Sequence, residues 1–137
     1  MSFFLGGYTP SLHTVELNPA DGSMKIAGSV ETPENASFLC YVPEFSALYA
    51  TVETGSRREE SGTVAAFHVG DSGQLDSIGT VESCGPGPCH IAVNAAERVL
   101  TVANYVGGNF ALYDLGDDGR PRERRACVQH SGSSVNA

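Results

Sequence analysis

The feature that most constrains this chain is that it repeats itself. The segment "SFLCYVPEFSALYATVET" (37–54) aligns with "PCHIAVNAAERVLTVANY" (88–105). Val42 falls on Val93, Leu48 on Val99 and Val52 on Ala103, an offset of 51. "GTVAAFHVGDSGQL" (62–75) aligns with "GNFALYDLGDDGRP" (108–121), with Phe67 on Tyr113 and Gly73 on Gly119, an offset of 46. A third, partial copy opens the chain, with "LGGYT" as its second strand, "HTVELNPADG" as its third and "MKIAGSVE" as its fourth. The unit is two strands, a loop, a strand ending in a D/S-G turn, and one more strand.

The chemistry of the unit is that of β-structure. "TVAAFHV", "VLTVANY" and "NFALYDL" are rich in β-branched and aromatic residues and are bounded by Gly, Asp, Asn and Pro. "DSG" (71–73) and "DDG" (117–119) suit hairpin turns, because Gly supplies a positive φ and Asp bonds back to nearby backbone. No stretch carries an apolar period of 3.6 over helical length. A repeat of roughly 40–50 residues built from short strands marks a β-propeller blade. We therefore expect an all-β chain forming about two and a half to three four-stranded blades of an incomplete ring. The blades are expected over residues 1–32, 33–82 and 85–129, within one partial propeller domain spanning 1–137, with 130–137 starting a further blade. A propeller closes with roughly four to eight blades, so the sequence reads as the N-terminal portion of a longer protein. Unclosed blade edges would then favour self-association.

Composition narrows the function classes. The formal net charge is −8, which argues against nucleic-acid and anionic-membrane partners, since a phosphate-binding surface needs excess Lys and Arg. "RPRERR" (120–125) holds four of the eight basic residues, and on an edge strand it reads as a solvated face. The opening "MSFFLGGYTP" lacks the basic segment and apolar length of a signal peptide or membrane span. Cys40, Cys84, Cys89 and Cys127 form no C-x-x-C pair, so we expect neither zinc nor a redox dithiol, and Cys40 reads as a buried thiol. A cytoplasmic location fits this pattern. No G-x-S-x-G elbow, P-loop, dinucleotide fingerprint or cluster of metal ligands is present, so no cofactor and no metal is expected.

Several segments together resemble the seven-bladed β-propeller lactonase family, which includes 6-phosphogluconolactonases and carboxy-muconate lactonizing enzymes. "GGYT" (6–9) is similar to the family's G-x-Y-T, "NASFL" (35–39) to N-P-S-F-L, and "LYATVET" (48–54) to L-Y-A-V-N-E. "GTVAAF" (62–67), "PCHIAV" (88–93), "VANYVGGNFALY" (102–113) and "HSGSSVN" (130–136) resemble G-x-V-x-A-F, P-C-H-x-x-V, V-A-N-Y-x-x-G-x-V-x-V-F and H-x-G-x-S/G-x-N. These motifs follow the family's order over nearly the whole chain. "NAS" stands for N-P-S and "TVET" for V-N-E, while the family's later R-Q and P-H-x-H segments have no counterpart.

Lactone hydrolysis needs a base to take a proton from water, a donor for the developing oxyanion, and a group to hold the substrate's anionic end. His90 stands behind a rigid "GPGP" turn at the entry to an inner strand. Read from the residues alone, it is either a base, a role for which histidine is suited near neutrality, or a histidine capping a neighbouring carbonyl. The resemblance implies that His90 faces the channel and that His130, after the next fourth strand, flanks the substrate with it. His68 should face solvent, and His13 receives no role. Asn104 and Tyr105 close a second strand where Glu53 and Thr54 stand one repeat earlier, so these polar groups, with Asn35, are candidate substrate contacts or strand-end turn residues. The charged stretch 55–62 reads as a solvated loop. The resemblance implies a cofactor-free lactonase acting on a small anionic sugar lactone such as 6-phosphogluconolactone. The alternatives are lactonizing chemistry on a carboxylated muconate, a non-catalytic propeller module that binds a protein, and a fragment without autonomous activity.

Overall fold

A computed structural model describes residues 1–32, 35–53 and 60–132. Its regular elements are eleven strands and one short 3₁₀ turn, so among the described residues the chain is all-β. β1 (Ser2–Leu5), β2 (Ser11–Leu17) and β3 (Met24–Glu31) form the first sheet. The second holds β4 (Ala36–Val42), β5 (Ala47–Val52), β6 (Thr63–Val69) and β7 (Leu75–Glu82). β8 (Pro88–Asn94), β9 (Val99–Asn104), β10 (Asn109–Leu115) and β11 (Pro121–Gln129) form the third. Within each sheet every strand pairs antiparallel with its sequence neighbours, so every sheet is a simple meander. The sheets stack face to face: β8 packs on β4 and β5, while β7 touches β3 on one side and β11 on the other. This is the blade stacking of a partial β-propeller, with β4 and β8 as neighbouring inner strands.

Two apolar layers glue the blades together. Leu12, Leu48, Ala50, Val52, Ala65 and Phe67 fill the space between the first and second sheets. Tyr49, Val64, Ala66, Ile91, Leu100 and Val102 fill that between the second and third. Alternation sends successive side chains of one strand into different layers, as in β5, where Leu48 and Tyr49 face opposite neighbours. Hydroxyl groups tie the layers. Thr14 donates to the Gly73 carbonyl across the first gap at 2.6 Å, and Tyr49 donates to the Gly119 carbonyl across the second at 2.5 Å. Both acceptors are the hairpin glycines of the "DSG" and "DDG" turns, whose φ values of 79° and 75° confirm the expected turn chemistry.

The repeat offset for the first two strands is 52, not 51. Phe38 pairs with Thr51 and His90 with Ala103 (38 to 90, 51 to 103). Ser46 and Arg98, also 52 apart, both close their turns with left-handed backbones. Leu48 therefore corresponds to Leu100 rather than Val99. Apolar matching cannot separate those two residues, but burial does: Leu100 is inaccessible and Val99 only partly covered. The offset of 46 for β6 and β10 is as expected, since Phe67 pairs with Leu48 and Tyr113 with Leu100.

Two further differences concern the ends. The opening strand is Ser2–Leu5, ahead of "GGYT", which instead carries the chain towards β2, with Gly7 bridging to Ala36. A disulfide joins Cys84, just after β7, to Cys127 in β11. Spacing gave no sign of this bond, because its cysteines are 43 residues apart and meet only when the third sheet folds back on its own entrance. Cys40, expected to be buried, is only partly covered. Of the arginines of "RPRERR", Arg120 lies exposed just before edge strand β11 and Arg122, Arg124 and Arg125 lie exposed on it, where Arg125 pairs with Asp114 on β10. His68 faces solvent. No helix among the described residues is long and apolar enough to cross a membrane.

Candidate active site

Both inner strands begin in the same way. The residue before each has a left-handed backbone, Asn35 at φ 44° and Gly87 at φ 68°. Each offers its carbonyl to the residue just past the second strand: the Glu53 amide donates to Asn35 at 3.1 Å, and the Tyr105 amide donates to Gly87 at 2.8 Å. A bulge follows in each strand, leaving Ser37 and Cys89 without a cross-strand partner. Asn35 thus corresponds to Gly87, Glu53 to Tyr105 and Val52 to Asn104. The expected pairing of Glu53 and Thr54 with Asn104 and Tyr105 shifts by one. Thr54, most of the 55–62 loop and the last residues of "HSGSSVN" lie outside the described residues.

The bulge matters to His90. It turns the side chain so that the imidazole rests on the ring of Phe38, its repeat equivalent on the neighbouring inner strand, with centroids 4.5 Å apart. His90 is exposed on its other side. His130 lies just past the end of β11, where its amide donates to the Gly108 carbonyl at 3.0 Å and its ring packs on Phe110, with centroids 5.6 Å apart. The two histidines hold different places in the repeat, one inside an inner strand and one after an outer strand. Even so, both line one open pocket of about 450 Å³, together with Cys89, Asn104, Tyr105 and Phe110. No lysine or arginine lines it among the described residues.

The remaining candidates divide. Tyr105 is 84% exposed, so its phenol is free to meet a ligand. Asn104 is buried, and its amide donates to the Ser83 carbonyl at 2.7 Å and to Asn109 Oδ1 at 2.8 Å. Asn109 in turn donates to the Cys84 carbonyl at 2.9 Å. This chain of amides pins the 83–87 turn that carries His90 into the strand. Asn35 and Glu53 stand together at the start of the neighbouring inner strand. The Asn35 amide donates to the Glu53 carbonyl at 3.3 Å, and the Ser37 hydroxyl donates to the Glu53 carboxylate. Five of the six candidates therefore sit around the entrances to two adjacent inner strands, Asn35 and Glu53 at the second blade and His90, Asn104 and Tyr105 at the third, and His130 joins the latter group from the end of β11.

Sequence reasoning overlooked Phe38, Ser37 and Asn109. Phe38 and Ser37 could have been found from the register, being 52 residues before His90 and Cys89. Asn109 could not, because its partners lie on a turn that is distant in sequence.

Comparison with known proteins agrees with this architecture. A family model described as a lactonase with a seven-bladed β-propeller matches residues 2–137. A 6-phosphogluconolactonase of Formosa agariphila is 25% identical over 138 residues, covering 96% of this chain and 38% of the relative. One of Bacillus subtilis is 27% identical over 77 residues, covering 56% of this chain and 22% of the relative. A crystal structure of a candidate 6-phosphogluconolactonase from Bacteroides fragilis superposes with a TM-score of 0.85 at 23% identity, over 96% of this chain and 37% of that one. Another, from Bacteroides uniformis, gives 0.85 at 24% identity, over 98% and 39%. The chain thus spans less than two fifths of the length of these proteins.

Proposed function

The chain belongs to the seven-bladed β-propeller lactonase family, and from that premise we propose that it carries part of a site for hydrolysing a small anionic sugar lactone such as 6-phosphogluconolactone. The observation that supports this most is the shared pocket. His90 and His130 come from opposite ends of the third blade yet line the same open cavity, with an exposed phenol beside them. In this reading His90 accepts a proton from the attacking water. Its ring is held against Phe38, so that less orientational freedom is lost when substrate arrives. His130 or Tyr105 donates to the developing oxyanion. Asn104 acts by fixing the turn, and Glu53 with Asn35 offers a polar wall from the adjacent blade. The substrate's charge would be met by groups other than those lining this pocket. A cytoplasmic setting belongs to the same proposal.

The face of the third sheet that carries His90, Ala92 and Ala103 is exposed, whereas its counterpart on the second sheet, Phe38 and Cys40, packs on the third. A further sheet, or a second copy of the chain, would cover that face and close the pocket. Acid release from 6-phosphogluconolactone, measured above the spontaneous rate, tests the reading. We expect excess release that falls at least about a hundredfold in His90→Ala, the lower range for a lost general base. Unchanged release in that variant overturns the role of His90, and no excess from the unaltered chain overturns autonomous hydrolysis.

A further inference from the structure

The disulfide encloses the third blade. Cys84 precedes β8 and Cys127 lies three residues before His130, so the bond connects the backbones that carry both candidate histidines. Cys84 has φ +69°, a left-handed conformation uncommon outside glycine and one that persists only where its surroundings enforce it. At Cys84 itself the contacts are the bond to Cys127 and the Asn109 amide on its carbonyl at 2.9 Å, while on either side the Ser83 amide donates to the Gly62 carbonyl at 2.8 Å and the Gly62 amide to the Gly85 carbonyl at 3.1 Å. The next residues are equally tied to this point. Ser83 donates its hydroxyl to the Gly85 carbonyl at 2.6 Å, and the Gly107 amide donates to the Pro86 carbonyl at 3.0 Å. Cys127 is exposed and Cys84 partly covered, so an external thiol can reach the bond.

We propose that Cys84–Cys127 is a reversible thiol–disulfide exchange site, and that its redox state sets the order of the 83–87 turn. The partner is a dithiol reductant, small or proteinaceous. One thiolate of the reductant attacks the exposed Cys127 Sγ, a mixed disulfide forms, and Cys84 leaves as a thiolate that takes up a proton. The second reductant thiolate then attacks the mixed disulfide and releases Cys127. The protein gains two electrons and two protons, and the reductant becomes a disulfide. With the bond open, Cys84 can leave its left-handed conformation, and the turn that aims His90 loosens. The consequence for His90 rests on the functional reading above, whereas the exchange and the loosening do not.

The full chain, equilibrated in mixtures of reduced and oxidised dithiothreitol, provides the test. Thiol alkylation and peptide fragmentation should place one reversible bond between Cys84 and Cys127, with Cys40 and Cys89 alkylated throughout. Deuterium exchange of residues 83–88 should rise about tenfold or more on reduction, and equally in Cys127→Ser, as expected when a local opening becomes easier. Cys84→Gly, which lacks the same bond, should show a smaller rise than Cys127→Ser, because glycine accepts the backbone geometry without enforcement. The reduced native chain carries the test if the serine variant does not fold. Independent alkylation of Cys84 and Cys127 under oxidising conditions overturns the site, and equal exchange in both redox states overturns the coupling. Absence of lactone hydrolysis in both states would refute the functional reading while leaving these results intact.

Discussion

Replacing Tyr49 by Phe removes one hydroxyl from the interface between the second and third blades and leaves the apolar packing in place. The ring is inaccessible to solvent, and the hydroxyl donates to the Gly119 carbonyl at 2.5 Å. Gly119 is itself buried, so water cannot replace the lost donor. An unsatisfied buried acceptor costs about 1–3 kcal/mol, and we take ~2 kcal/mol as the expected loss. Unfolding entropy of about 2.1 cal/mol/K per residue gives ~0.3 kcal/mol/K for a chain of 137 residues, so Tm should fall by about 7 °C. Far-UV circular dichroism during urea and thermal unfolding measures it, and the m-value should not change, because the surface exposed on unfolding is the same. Tyr105→Phe, altered at an exposed phenol, is the control and should lie within about 0.5 kcal/mol of the native chain. A loss below about 0.5 kcal/mol in Tyr49→Phe, or an equal loss in the control, would refute the claim that this hydroxyl latches the blades.

Burial also pushes the Tyr49 hydroxyl well above its ordinary range, with Cys40 and Asp118 adding to the effect. The folded state then keeps a proton that the unfolded chain releases above about pH 10, so stability should hold below that pH and fall as pH rises beyond it, a slope that alkaline unfolding would find reduced in Tyr49→Phe. Asn104→Ala strands the Ser83 carbonyl and Asn109 Oδ1 and should destabilise by about 1–3 kcal/mol in urea unfolding, more than Asn94→Ala at an exposed strand end. Gly62→Ala would place a methyl carbon 2.3 Å from the Pro88 ring, and a loss of about 1–3 kcal/mol in the same assay is expected where the second blade meets the start of β8.

The architecture was largely legible because each blade is built from local signals. The alternation of Val64, Ala65, Ala66 and Phe67, the D-x-G turns and the repeated strand pairs all act within a few residues of themselves. Errors appeared where adjacent residues were chemically alike: Val99 and Leu100 are both apolar, and only packing chooses which one enters the core. The site was legible to the extent that it follows the repeat. His90 is marked by its Gly/Pro turn and His130 by its loop, but the contact that holds His90 comes from Phe38, on another blade. The Cys84–Cys127 bond and the Asn104–Asn109–Cys84 chain depend on where separate strands meet, and no local pattern encodes them.

The account rests on the two inner strands standing side by side, with the imidazole of His90 against the ring of Phe38. A nuclear Overhauser spectrum of the chain labelled at Phe and His measures that contact directly. The account predicts strong cross-peaks between the Phe38 ring protons and the imidazole protons of His90, retained when His130 is replaced by Ala. Absence of those cross-peaks in a folded chain, or their replacement by contacts from Phe67 to His90, would contradict it.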